Sequence, residues 1–337
     1  MGRSPATVSH GGVGHAPAPA RDPNASNVTK RKTTSMIRIG TRGSILALAQ
    51  ANDVARRLRQ AHGLGEKDVS IVEIHTSGDR IQDRPLSEVG GKGLFTKEIE
   101  QALFDNRIDV AVHSLKDVET EPPAGTELVA VLEREDVREV FISRKYGALG
   151  EMPAGAKLGT SSLRRRSQAK VANPGIELVD FRGNVQTRLK KLAAGVADAT
   201  FLARAGLNRL GHWEDYFHVV SVDDMLPAVA QGAVALQIRS DDAQARRLCE
   251  TLDHPATAVC VHAERAFLRR LDGSCRTPIA GLGELGGDGS FRFRGEILSI
   301  DGTRSLKAER AGASGEASAL AAEAGEELLA AAGGDFF

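Results

Sequence analysis

From residue 36 onward, short apolar runs alternate with stretches of helical periodicity. That alternation confines the chain to parallel or mixed sheets with helices packed on their faces. Strands are expected at 36–40, 69–75, 108–113, 128–132 and 140–143, with helices at 44–60 and 94–104. The first helix carries Ile45, Leu48, Ala51, Ala55 and Leu58 on one stripe, with Arg56, Arg57 and Arg59 turned outward. A second series follows: strand 158–159, a helix from Ser162, strand 176–181, a helix from Asn184 and strand 199–202. After Pro227 the texture changes. Residues 228–239 are apolar and glycine-interrupted, helices are expected at 243–252 and 256–271, and strand 291–299 with helix 316–332 reads as a small α+β module. No repeat of fixed period occurs.

Residues 1–35 stand apart. Four prolines and five basic residues face one acid, Asp22, with almost no apolar periodicity. Such a stretch cannot bury enough surface to offset its ordering entropy, so it reads as a disordered tail. It lacks the apolar core of a secretory signal. An over-long start or an added tail explains it better than a transit segment.

Composition excludes several classes. The 337 residues balance 44 Lys+Arg against 44 Asp+Glu, which argues against a general nucleic-acid binder. An aromatic content of 4% removes most stacking platforms for single strands. No apolar run approaches the roughly eighteen residues of a membrane span. Three cysteines at uneven spacing make neither a disulfide framework nor a zinc site, and no metal constellation is evident. A cytoplasmic, monomeric protein acting on a small molecule is the expectation.

Basic side chains gather where strands give way to helices. Arg42 lies in Gly40-Thr41-Arg42-Gly43-Ser44, Arg164 to Arg166 follow Gly159-Thr160-Ser161-Ser162, and Arg182 and Arg188 flank Gly183-Asn184. Ligands of open α/β sheets lie beyond the carboxyl ends of strands, where helix N-termini favour anions. Arginine adds a two-pronged grip on carboxylate or phosphate. Neither phosphate-loop spacing is present; Gly90-Gly91-Lys92-Gly93 comes nearest. A polycarboxylate held between two domains fits better. Lys116-Asp117 follows a strand end: on spacing alone it reads as an exposed pair, and in a cationic cleft its carboxylate could stabilise a developing cation or shuttle protons. Cys275, between Gly273 and Pro278 and beside Arg276, has the setting of a reactive thiolate or of an inert loop cysteine. Cys249 and Cys260 read as buried helical residues, and His113 as a satisfied strand-end histidine.

These segments, taken together, resemble the porphobilinogen deaminase (hydroxymethylbilane synthase) family over about residues 36–332. The matching motifs are RIGTRGS at 38–44, GGKGLF at 90–95, VHSLKD at 112–117, GTSSLRR at 159–165 and RGNVQTR at 182–188. AGLNRLG at 205–211, LPAVAQG at 226–232 and the Cys275 loop complete the set. The resemblance implies an α/β fold of two periplasmic-binding-protein-like lobes around a cleft, plus a small α+β C-terminal domain. Its expected divisions are 36–133 with 232–252, 138–227, and 255–337. It implies an enzyme that condenses four porphobilinogen molecules head to tail, with loss of ammonia, into the linear tetrapyrrole hydroxymethylbilane. A dipyrromethane cofactor attached by a thioether to Cys275 is implied. Asp117 is implied as the catalytic carboxylate. Arg42, Ser44, Lys92, Phe95, Lys116, Thr160, Ser161, Ser162, Arg164, Arg165, Arg182, Gly183, Arg188, Arg209 and Gln231 are implied to bind cofactor or substrate. Ile45, Glu119 and Val137 stand where the family often has proline, and Ser274 where glycine is common; these changes are expected to touch turn rigidity and no charged group. The rival readings are a non-catalytic two-lobed polycarboxylate-binding protein and a nucleic-acid binder using Arg164–Arg166 with Lys190 and Lys191.

Overall fold

The computed structural model describes residues 1–2, 37–80, 93–273, 277–333 and 336. The tail expected at 1–35 therefore falls, beyond its first two residues, outside the described residues. Met36–Phe337 forms one compact unit. Its elements begin with β1 (Ile37–Arg42), α1 (Ile45–His62), β2 (Val69–Ile74), α2 (Ser77–Arg80), α3 (Lys97–Phe104), β3 (Val110–Ser114) and β4 (Thr126–Val131). Next come β5 (Glu139–Ile142), β6 (Lys157–Gly159), α4 (Leu163–Ala172), β7 (Glu177–Val179), α5 (Val185–Ala193), β8 (Ala199–Ala203), α6 (Arg204–Arg209) and β9 (Phe217–Val220). The chain continues with β10 (Val234–Arg239), α7 (Ala243–Cys249), α8 (Pro255–Arg270), β11 (Ile279–Leu285), β12 (Ser290–Leu298), β13 (Ser305–Ala313) and α9 (Ala317–Ala332).

Two five-stranded sheets share one plan. The orders are β2-β1-β3-β10-β4 and β7-β6-β8-β5-β9. In each, three parallel strands are followed by one antiparallel strand that arrives across the molecule: β10 pairs antiparallel with β3 and β4, and β5 with β8 and β9. The chain thus crosses between the lobes twice, at 132–138 and 221–233. Both faces of each sheet are covered, as parallel strands require. In lobe 1, Val54 and Leu58 of α1 pack with Cys249 on one face, and Ile99 and Leu103 of α3 with Ile108 on the other. In lobe 2, Phe141, Leu158 and Phe201 face α4, while Phe181, Leu192 and Leu207 fill the opposite side. The architecture is the two-lobed, periplasmic-binding-protein-like fold with a smaller C-terminal domain.

That domain lays α8 and α9 over the antiparallel sheet β11-β12-β13. Its core of Phe267, Phe291 and Phe293 runs on without a break to Leu115 and Val118 beyond β3, and to Val229 and Ala230 in the second crossover. Glycine is required in that crossover. Gly232 has φ +90°, and a Cβ there would meet the Glu135 carbonyl oxygen at 2.4 Å.

Several expectations shift on the structure. The helix expected from 94 begins at Lys97, because Gly93 at φ +69° starts a turn. Ile45, expected on the buried stripe of α1, is 54% exposed; the buried residues of the helix are Gln50, Ala51, Val54, Ala55 and Leu58. Strands β9, β11 and β13 had no strong signal. β13 mixes small and charged residues with one large apolar side chain, Leu306; it pairs with β12 along its length and adds only Leu306 and Ala308 to the core.

Candidate active site

A cavity of about 620 Å³ opens between the lobes, where β1, β3, β6 and β7 give way to turns and helices. Ser44 caps α1 by accepting from the Ala47 N–H at 3.2 Å, Ser162 caps α4 by accepting from Arg165, and Asn184 caps α5 by accepting from Thr187 at 2.9 Å. Three helix N-termini therefore meet at one opening, each with free N–H groups and the positive end of its dipole. Gly183 adopts φ +120° between β7 and α5, and a Cβ there would strike the Thr187 side chain at 2.5 Å.

On the lobe 1 side, Arg42 donates through Nε to Asp79 at 3.1 Å and pairs with it again through Nη2. Its Nη1 lies 3.9 Å from Asp117 Oδ2, and its guanidinium stacks 4.2 Å from the centre of the Phe95 ring. Burial works against its charge, but Asp79 and Asp117 outweigh burial and raise its pKa. Asp117 sits at the end of a short 3-10 turn after β3, a third exposed. Among the described residues no hydrogen bond engages its carboxylate. Lys116, beside it, donates to Gln231 Oε1 at 3.1 Å. Burial first, and then the nearby Arg165, push its pKa down to about 8.

On the lobe 2 side, Ser161 ties two turns together by accepting from the Phe181 N–H at 2.9 Å. Arg188 donates through Nε to the Gly183 carbonyl, and burial, with Arg165 and Arg182 as cationic neighbours, pushes its pKa down to about 10. Arg164 and Arg165 line the cavity, yet both are buried against Glu139. Arg164 also donates to Gln168 Oε1 and to the Leu226 carbonyl, and Arg165 to the Phe201 carbonyl. Gln231, fully buried, bridges the lobes by accepting from Lys116 and donating to Val137 O and Glu139.

Most of the expected residues converge here: Arg42, Ser44, Phe95, Lys116, Asp117, Ser161, Ser162, Arg164, Arg165, Arg182, Gly183, Arg188 and Gln231 all line the cavity. Thr160 does not; its buried hydroxyl accepts from the Ser162 N–H and shapes the turn from behind. Arg209 lines a separate cavity of about 360 Å³ behind the crossovers and donates to the Gly232 carbonyl at 2.8 Å. Lys92 and Cys275, together with Ser274 and Arg276, lie outside the described residues. The reading of Glu119 as a change without charge consequence is overturned. It lines the cavity, and its carboxylate accepts from the Gly93 N–H at 2.5 Å. His113 is a satisfied core histidine, hydrogen-bonded to Gln237 at 2.9 Å and held neutral by burial, with its pKa pushed down to about 4. Sequence reasoning missed Asp79 and Glu139. Glu139 did leave a signal, as a lone acid opening the apolar run Val140-Phe141-Ile142. Among the described residues no cluster of three or more acidic, histidine or cysteine side chains could hold a metal.

The cavity suits a polyanion. Arg188 is a desolvated cation among cations, and Arg164 Nε is a buried donor with no partner among the described residues. Negative groups entering the cleft would relieve the first, and the capped helix termini would share in holding them. A four-carboxylate group such as dipyrromethane is compatible with this donor set.

Comparison with known proteins agrees with that chemistry. Residues 37–247 match the family model described as porphobilinogen deaminase, dipyromethane cofactor binding domain, and residues 258–330 match its C-terminal domain. Porphobilinogen deaminase of Paracoccus denitrificans is 54% identical over 301 residues, 89% of this chain and 96% of that protein. The Nitrobacter winogradskyi protein of the same name is 51% identical over 306 residues, 91% and 96% of the two chains. Among solved structures, the methionine binding protein MetQ overlaps 65% of this chain and 90% of its own at 11% identity and a TM-score of 0.43. The fold assignment rests on the two sheet orders and not on that overlap.

Proposed function

We infer the activity from one premise: the chain belongs to the porphobilinogen deaminase family. It is a transferase that joins four porphobilinogen molecules head to tail, releasing ammonia at each addition, after which water adds to the terminal methylene and frees the linear tetrapyrrole hydroxymethylbilane. The observation that carries the residue-level reading is the position of Asp117, a carboxylate without a hydrogen bond among the described residues, at the floor of a cleft lined on both sides by cations.

When bound, the dipyrromethane supplies a pyrrole α-carbon as the growing end. Lys116, Arg182 and Arg188, with the capped turns at Ser44, Ser161 and Ser162, hold acetate and propionate groups by charge-assisted hydrogen bonds. Arg42 holds its place between Asp79 and Asp117 and does not titrate, so it fixes the side of Asp117 that faces the substrate. The Asp117 carboxylate stabilises the positive charge that develops on the substrate pyrrole as its ammonia departs. It also accepts the proton released when the new carbon–carbon bond restores the aromatic ring.

Attachment through Cys275, by a thioether that forms as ammonia leaves, belongs to the same reading; so do the divisions at 36–133 with 232–252, 138–227 and 255–337. The same reading takes the protein as a cytoplasmic monomer. The test is turnover. Purified protein given porphobilinogen should release four ammonia molecules per tetrapyrrole formed, and Asp117→Ala should not. Tight porphobilinogen binding without ammonia release would instead favour a non-catalytic receptor.

A further inference from the structure

Glu139 is the first residue of β5, where the chain enters lobe 2 from the first crossover, and it is fully buried. One carboxylate serves many donors. Oε1 accepts from Arg164 Nη2 at 2.5 Å, from Arg165 Nε at 3.1 Å and from Gln231 Nε2 at 3.1 Å, while Oε2 accepts from Arg165 Nη2 at 2.7 Å. Gln231, just before β10, in turn accepts from Lys116 Nζ, just after the neighbouring β3. A single chain of hydrogen bonds therefore runs from the turn after β3, through the second crossover, to β5 and the first turn of α4.

We propose that Glu139 is a positioning residue for the carboxylate grip of the cleft, its side chain fixing where Arg164 and Arg165 stand and, through Gln231, where Lys116 stands. The inference rests on the reading that the cleft holds pyrrole carboxylates, and it deepens that reading. It also divides the arginine run into parts. Arg164 is turned inward to Gln168 and Leu226, and Gln168 reaches Glu296 of the C-terminal domain at 2.8 Å. Arg164 thus ties the cleft wall to that domain, whereas Arg165 packs against β5 and β8 through Glu139 and Phe201.

The carboxylate has two separable properties. Its charge opposes three buried or partly buried cations. Lys116 is faced by Asp117 on its own turn, by Glu139 on β5, and by Arg164 and Arg165 on α4, with Gln231 as its hydrogen-bond partner. Removing the Glu139 charge leaves Lys116 among unopposed guanidiniums, which disfavours its protonated form. Its reach is the second property. An aspartate at this position keeps the charge but falls one methylene short of contacts made at 2.5–3.1 Å.

The experiment uses the holoenzyme with 13C-labelled lysine side chains, assigning the Lys116 signal by its loss in Lys116→Met. Titration midpoints and porphobilinogen kinetics are measured for the unchanged protein, Glu139→Gln and Glu139→Asp. In Glu139→Gln, which keeps reach and loses charge, the Lys116 midpoint should fall by about one pH unit. In Glu139→Asp the midpoint should stay in place while KM rises about threefold or more with kcat little changed. An unmoved midpoint in Glu139→Gln, or an unmoved KM in Glu139→Asp, overturns the proposal. If Glu139→Gln does not fold, the KM of Glu139→Asp decides. If the unchanged protein fails to consume porphobilinogen, the proposed function fails, yet the Lys116 midpoint still reports on Glu139.

Discussion

Arg42 holds Asp79 on one side and approaches Asp117 to 3.9 Å on the other, so two carboxylates of different duty share one guanidinium. Asp79 is fixed by Thr76 as well, at 2.7 Å, and serves as the anchor. Asp117 is left with its oxygens towards the cavity. That asymmetry separates the structural acid from the reacting one.

Asp117→Ala should lower kcat by about a thousandfold or more, since it removes both charge stabilisation and proton transfer. The thermal midpoint should change little, because the side chain is partly exposed and forms no hydrogen bond among the described residues. Steady-state kinetics beside a melting curve check both halves.

Asp79→Asn should reduce kcat/KM about tenfold without unfolding the protein. It weakens the charge-assisted pair that holds Arg42 over Phe95, and the guanidinium would then swing towards Asp117. The expected signature is a larger loss in kcat than in the affinity for a non-reacting porphobilinogen analogue.

The rate should fall on the alkaline side with a midpoint near 8. Lys116 has its pKa lowered to about 8, so it is charged below that pH and loses its hold on carboxylate as pH rises through it. A kcat/KM profile measured from pH 6 to 10 checks this, and Lys116→Arg should move the limb upward.

Stability should decline on the acid side through His113. Its folded-state pKa, about 4, lies below the ordinary value of 6.5, so the unfolded chain binds the extra proton first as pH falls. The histidine's contribution is intact above 6.5 and lost between there and 4, to a total of about 3 kcal/mol. Denaturant melts at several pH values should show this slope, and His113→Gln should flatten it.

Gly232→Ala should destabilise the protein by about 2 kcal/mol or more. The position needs φ +90° and admits no Cβ beside the Glu135 carbonyl.

Much of this was legible because it is local. Ser44, Ser162 and Asn184 precede helical stretches and carry the oxygen that caps them, so their place at strand-to-helix turns followed from pattern alone. What pattern cannot show is how a side chain is used once the chain is folded. Arg164 and Arg165 look like a free anion grip until β5, twenty-five residues earlier, brings Glu139 between them. Arg209 carries the same kind of motif signal, but α6 turns it to the rear of the crossovers. Glu119 was judged by the backbone property it replaced, whereas its consequence lies in the carboxylate it brings to the cleft. Strand β13 shows little pattern for a related reason, since its pairing with β12 holds it more than its few apolar residues do.

The most direct test of the whole account is the intact mass of the denatured, purified protein after incubation with porphobilinogen, beside a Cys275→Ser control. The account predicts an added mass of two porphobilinogen units less two ammonia molecules, absent from the control. An unmodified mass, or the same addition in the control, would contradict it.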